Sequence, residues 1–234
     1  MTHFMRKRRS RDNRKQFLKG TKTRAVIVAQ ALEIAAAEGL AALTIGRLAK
    51  ELKMSKSGLF AHFRSKEALE LATVELARTV FANHILVPAE RGQPGLEKLW
   101  NLCDFWLQHI EDHVFRGAYF FAGAFFERGR QRGAVARQIK AAARDWLEAL
   151  EQAAKEAQKR KEINRDVYAD ETATELNGLL QGGYWAHLMG QWGALDWARE
   201  KVLERLEALA TDEVPSTSFK SVKAFQKYLR WKYA

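Results

Sequence analysis

Residues 44–63 read Thr44-Ile-Gly-Arg-Leu-Ala-Lys-Glu-Leu-Lys-Met-Ser-Lys-Ser-Gly-Leu-Phe-Ala-His-Phe63, and this stretch decides the fold. Thr44 has the side chain of a helix N-cap, and it precedes a short helix, Ile45–Glu51, with Ile45, Leu48 and Ala49 inward. The pattern breaks at Leu52–Met54. Ser55 then caps a second short helix that ends near His62 and Phe63. Ala49 is small enough to let the two helices approach, and Met54 and Leu59 are placed to pack on Leu48 and Leu52. Two short helices joined by a tight turn make a helix-turn-helix. The second helix of such a unit fits the major groove of a duplex. Its outward positions, Lys56, Ser57 and Gly58, then face base edges and phosphates. The helix starts at Thr44 and Ser55 present backbone N–H groups to phosphate oxygens.

Working outward, the chain stays helical. Thr23 is the expected cap of a helix from about Arg24 to Glu38, closed by Gly39, with Ile27, Val28, Ala31, Leu32, Ile34 and Ala35 along its apolar side. Ser65 caps a longer helix to about Ile85, with Ala68, Leu69, Ala72, Leu76 and Val80 at helical spacing. Beyond the loop at Pro88–Gly95 the periodicity predicts helices over 95–111, 116–128, 132–160, 168–190, 196–210 and 218–231. No alternating run reads as a strand. The fold class is therefore all-α: an N-terminal three-helix helix-turn-helix domain, then a larger helical domain. The expected boundaries are a disordered basic arm over 1–20, the helix-turn-helix domain over 21–66, the larger domain over 67–212, and a basic helix or tail over 213–234.

Charge follows the same division. The 234 residues carry a formal +11, but unevenly. Residues 1–24 hold ten basic side chains against Asp12, residues 218–234 hold five with no acid, and residues 44–66 hold six against Glu51. Outside these three segments the chain is acidic. Positive charge on one motif and both tails suits a polyanion such as nucleic acid. The apolar share of 47% is that of a folded protein, and no run is long enough to span a membrane. The basic N-terminus has no apolar segment behind it, so it is not a secretory signal, and the expected location is cytoplasmic. A lone Cys103 gives no disulfide and no cysteine-based zinc site.

The stretch from about Thr23 to Leu69 resembles the DNA-binding domain of TetR/AcrR-family transcriptional regulators. The resemblance includes Ala37-Glu-Gly39, Leu43-Thr44 and Met54-Ser-Lys-Ser-Gly-Leu-Phe-Ala-His-Phe-Arg-Ser-Lys-Glu-Ala-Leu69, and covers about a fifth of the chain. It implies roles. Thr44 is a phosphate-binding cap; Ser55, Lys56, Ser57 and Gly58 form the front of the recognition helix; His62 contacts the backbone; Lys66 binds phosphate. Lys22, Thr23 and Arg24 lie where the first helix approaches the duplex. Phe60 stands where the family usually has Tyr, so a hydroxyl contact to phosphate is lost and only packing is left to it. Lys53 occupies a turn position where the family commonly has Gly. Either it takes a left-handed backbone at a cost of about 1 kcal/mol, or the turn differs and re-aims the recognition helix.

The larger domain is rich in aromatics. The resemblance implies that its helices enclose a small, largely apolar inducer, with Trp106, Phe120, Phe121 and Tyr184 as the candidates to line the site. The bland alternative is that these rings are bundle core. Helices near 168–190 and 196–210 fall where the family forms a dimeric four-helix bundle, and Gly182-Gly183 fits either close packing there or a kink. His109 and His113, four apart, read better as a solvated helix end than as metal ligands. No cofactor site, metal site, phosphate loop or catalytic constellation is visible, so no enzyme activity is expected. The resulting expectation is a homodimeric, ligand-responsive regulator, a repressor, on a pseudo-palindromic double-stranded operator and released by an inducer. The alternative is a nucleic-acid binder without sequence preference, driven by the basic tails.

Overall fold

The computed structural model describes residues 2–114 and 120–211, with side chains from residue 20 onward. The predicted tail over 213–234 and its helix over 218–231 lie outside the described residues, as do residues 115–119. Helices follow one another as α1 (Thr2–Glu38), a 3-10 turn (Leu40–Ala42), α2 (Ile45–Glu51), α3 (Lys56–His62) and α4 (Lys66–Phe81). A π-helical turn (Ala82–Leu86) and the single turn α5 (Val87–Ala89) lead to α6 (Leu96–Glu111), α7 (Phe120–Arg128), α8 (Ala134–Lys159), α9 (Ala169–Leu188) and α10 (Ala194–Leu209). Among the described residues there is no strand, only an isolated bridge between Ile163 and Ala210. The all-α class holds.

Two compact units emerge. One comprises residues up to 79 together with 120–140; the other comprises 80–114 together with 141–211. The units are therefore discontinuous in sequence, whereas the sequence reading makes its two folded domains continuous, 21–66 and 67–212. The reason lies in α7, which packs with α1 and the 3-10 turn.

The core of the first unit follows the predicted spacing. Ile27, Val28, Ala31 and Ile34 of α1, Leu48 and Ala49 of α2, Leu59 of α3, Phe63 and Leu69 form one buried cluster, with Leu52, Met54, Ala72 and Leu76 packed against it. Helix α4 is buried more widely than its predicted stripe. Thr73, Val74 and Ala77 are fully enclosed, and the Thr73 hydroxyl is satisfied by donating to the Leu69 carbonyl oxygen at 2.8 Å.

One expectation changes. Residues 2–20, read as a disordered arm, continue α1 as a single 37-residue helix, so Thr23 is interior and caps nothing. Arg, Lys, Gln, Leu and Met propagate helix well, and extending a helix that already exists avoids the nucleation cost. The helix stops where predicted, at Gly39, whose φ of 88° is open to glycine and whose N–H donates to the Ala35 carbonyl at 2.9 Å.

In the second unit α9 and α10 pack closely. A Cβ on Gly183 would lie 2.4 Å from the Ala198 Cβ, so this glycine is a packing residue within the chain. Gly182 has nothing within 4 Å of its Cβ position and does not share that role. Arg199 of α10 is 4% exposed and is held by Asp104 at 2.7 Å, Glu111 at 2.8 Å and Asp196 at 3.3 Å. Burial opposes its charge, but the Glu111 and Asp104 carboxylates hold its pKa above the ordinary arginine range. Glu162, also buried, accepts from the Leu96 N–H at 2.8 Å and so caps α6 from a distant part of the chain.

Candidate nucleic-acid interface

The helix-turn-helix is built by its caps and its turn. The Thr44 hydroxyl accepts from the Arg47 N–H at 3.2 Å, that of Ser55 from Gly58 at 3.0 Å, and that of Ser65 from Ala68 at 3.0 Å. Three of the four predicted caps are therefore in place, Thr23 being the exception. The Ser55 and Ser57 hydroxyls also meet at 3.1 Å. Gly58 serves the cap, because a Cβ there would press to 3.0 Å from the Ser55 Oγ.

The turn between α2 and α3 is closed by two backbone bonds, Met54 N–H to Ala49 C=O at 2.9 Å and Lys53 N–H to Lys50 C=O at 3.2 Å. This is a Schellman closure, and it requires a left-handed residue at Lys53, whose φ is 52°. The chain keeps the turn that glycine would favour and carries a lysine in it.

Exposure separates the residues of this surface. Lys56, Ser57, Phe60, Ala61, Arg64 and Lys66 are exposed, Gly58 and His62 are half-buried, and Leu59 and Phe63 point inward. Phe60 is 48% exposed, so the expectation that it only packs is corrected. Leu59 and Phe63, one helical turn apart, take the inward face, and Phe60 follows Leu59 by about 100° of helix rotation. Lys22 and Arg24 are exposed on α1 and Thr23 is half-buried. The Arg24 guanidinium sits 4.7 Å from the centroid of the Phe63 ring, which ties α1 to the end of α3.

The basic residues also separate. Arg47 is engaged by Glu38 and, at 3.1 Å, by Glu51; these hydrogen bonds hold the Glu38 carboxyl below its usual pKa and the Arg47 guanidinium above its own. Its charge is spent inside the unit. Lys66 lies 3.6 Å from Glu70, which Arg128 of α7 also binds at 2.8 Å. Lys50, Lys53, Lys56 and Arg64 have no acidic partner among the described residues. The Lys56 chain is laid back along α2: a Cβ on Gly46 would be 3.5 Å from its Cε and 3.8 Å from its Nζ.

Sequence reasoning missed the α7 side of this unit. Glu127 accepts from the Ala41 N–H at 3.0 Å, and its carboxylate fills the space beside Gly39, where a Cβ would come within 1.7 Å. Gln138 donates to Glu75 at 3.0 Å. These pairs are 58 to 86 residues apart in sequence, and no local pattern announces them.

The four residues expected to line an inducer site fall into two pairs. Trp106 and Tyr184, both buried, meet edge-to-face at 6.3 Å in the second unit. Phe120 and Phe121 meet at 5.2 Å in the first. His109 is not a solvated helix end. It is 4% exposed, between the rings of Phe81 at 6.2 Å and His84 at 5.6 Å, and burial followed by the nearby His84 lowers its pKa to about 4. His113 is exposed, as expected. Among the described residues no three His, Cys, Asp or Glu side chains group to hold a metal ion, and no helix is long and apolar enough to cross a membrane. Cys103 is buried, and burial and Asp104 push its thiol pKa up, away from reactivity.

Comparison with known proteins extends the reading beyond the motif. Residues 27–73 match the family described as bacterial regulatory proteins, tetR family, and residues 95–202 match the tetracyclin repressor-like C-terminal domain. No protein of curated function matches the chain. A TetR transcriptional regulator from Chloroflexus aurantiacus shares the fold at a TM-score of 0.76 and 21% identity, over 82% of this chain and 98% of that one. A TetR-family regulator from Streptomyces coelicolor, SCO4454, does so at 0.69 and 19%, over 82% and 97%. AibR, solved with isovaleryl coenzyme A and operator DNA, does so at 0.61 and 18%, over 76% and 95%. With both halves of the architecture matched, and the capped helix-turn-helix in its N-terminal part, the chain belongs to the TetR family of transcriptional regulators.

Proposed function

We propose that the protein is a homodimeric repressor, acting in the cytoplasm, that holds a pseudo-palindromic operator and releases it on binding a small, largely apolar inducer. The observation that carries this reading is the capped α2–α3 unit, around which Lys50, Lys53, Lys56 and Arg64 are exposed without acidic partners among the described residues. Thr44 and Ser55 set the helix starts for phosphate, and Lys66 adds a cation at the start of α4. Lys56, lying along α2, serves the backbone more than the bases. One seven-residue α3 spans few base pairs, so a dimer on two half-sites supplies the specificity. Support for a dimer surface comes from α9 and α10. Gly178, Gly182 and Trp185 fall on one exposed stripe of α9 that Met189 continues at its C-cap, and Trp197 of α10 is 46% exposed. Inducer release is supported by α7, which reaches the head through Glu127 and Arg128, and by a solved relative that holds both a ligand and operator DNA.

Selection from random duplexes with the full chain, followed by titration of the recovered site, tests the reading. Preference of about 10³ or more over random DNA at physiological salt is expected. A steep salt slope with little preference would instead establish the tail-driven binder. Lys66→Ala should weaken all duplexes alike. Removing residues 1–20 should flatten the salt dependence and leave the preference in place. An inducer favouring the released dimer by about 3 kcal/mol should lower operator affinity roughly a hundredfold.

A further inference from the structure

The outward side of α3 is poor in hydrogen-bonding groups. Ser57 is engaged with the Ser55 hydroxyl, which itself caps the helix. Lys56 is laid back toward Gly46 on α2. His62 is half-buried. What remains exposed in the middle of the helix is Phe60, 48% exposed, and Ala61 beside it, with Arg64 one turn beyond Phe60. A phenyl ring at that exposure loses apolar contact to water unless something covers it. The cations around it name the covering partner. Lys56 and Arg64, four residues before and four after the ring, are both exposed cations, and that setting draws a polyanion rather than an apolar protein surface.

In the major groove one group is apolar, the C5-methyl of thymine, and Phe and Ala side chains are among those that contact it. We infer that Phe60, with Ala61, reads the C5-methyl group of a thymine in each operator half-site. This rests on the operator-binding reading above. Specificity at that base pair then comes from buried methyl surface, not from a hydrogen-bond pattern. Loss of one methyl should cost about fourfold in affinity, and loss from both half-sites about fifteenfold.

The test uses the full chain and the duplex recovered by random selection. Each thymine of the half-site is replaced by deoxyuridine in turn, which removes the methyl and leaves every hydrogen-bonding group. One thymine in each half-site should show the fourfold loss with the unaltered protein, and Phe60→Ala should reduce that loss to less than twofold. Phe60→Leu, which keeps an apolar side chain, should retain part of it. Since the unaltered protein carries the first measurement, instability of a variant does not block the answer. Uniform affinity across all uracil duplexes overturns the inference while leaving operator binding intact. A methyl effect that persists unchanged in Phe60→Ala assigns the contact elsewhere and also overturns it. Selection that enriches no site overturns both this inference and the operator-binding reading, and that outcome is distinct from the other two.

Discussion

Arginine is used in opposite ways in the two units. In the first, Arg47 stands at the surface and pairs with Glu38 and Glu51, nine and four residues away. In the second, Arg199 is buried and pairs with Asp104 and Glu111, 95 and 88 residues away. An exposed pair trades water for a carboxylate at little net gain. A buried one has already lost its water, so removing one member strands the charge of the others, even though replacing the whole group by apolar side chains can be neutral. The first unit thus gains little from its arginine pairing at the surface, and the second uses its buried arginine to fix its own helices.

The sharpest way to break this contrast is to remove each arginine. Arg199→Leu leaves Asp104, Glu111 and Asp196 clustered without their cation, and an unfolding free energy lower by about 3–5 kcal/mol is expected in urea titration. Arg47→Ala should move the midpoint far less. Comparable losses from the two would mean that Arg199 is not desolvated, and the contrast would collapse.

His109 provides a second probe of the same unit. Its pKa near 4 in the folded chain is below the ordinary 6.5, so between these values the unfolded chain binds a proton that the folded one refuses. Stability from this group is complete above about 6.5 and is lost as the pH falls, by about 2 kcal/mol at pH 5. Carboxylates titrate over part of the same range, so the measurement is the difference between the unaltered chain and His109→Leu at pH 7 and pH 5. Stability of the substituted chain should fall less by that amount. Equal falls would place His109 in water.

The same contrast explains what could be read from sequence. The helix-turn-helix is local: Thr44, Ser55 and Ser65 each cap a helix through a backbone N–H three residues on, so residue type and spacing sufficed to find them. The core series of α1 was legible for the same reason. Glu127 beside Gly39, Arg128 on Glu70 and the Arg199 cluster join positions far apart in sequence, and only tertiary packing brings them together. Phe60 was misjudged because its residue type reads as core, while its place on α3, one residue after Leu59, turns it outward. Helix α1 was cut short because a dense run of like charge reads as disorder when the helix behind it is not considered.

The smallest expected effect returns to the first unit. Lys53 holds a left-handed φ of 52° in a turn whose two closing bonds, from Met54 and Lys53, require that conformation. A side chain with a Cβ pays roughly 1 kcal/mol there that glycine does not. Glycine recovers part of that gain less, because it also loses more backbone freedom on folding. Lys53→Gly should therefore raise stability by somewhat under about 1 kcal/mol. The lysine is exposed and without an acidic partner among the described residues, so on the operator-binding proposal it contributes charge toward DNA instead. Its replacement should stabilise the fold and weaken binding to every duplex, with preference among sequences unchanged. A stabilised protein that binds as tightly as before would show that the strain at this turn serves neither stability nor the backbone contact. A changed preference would show that the turn sets the aim of α3.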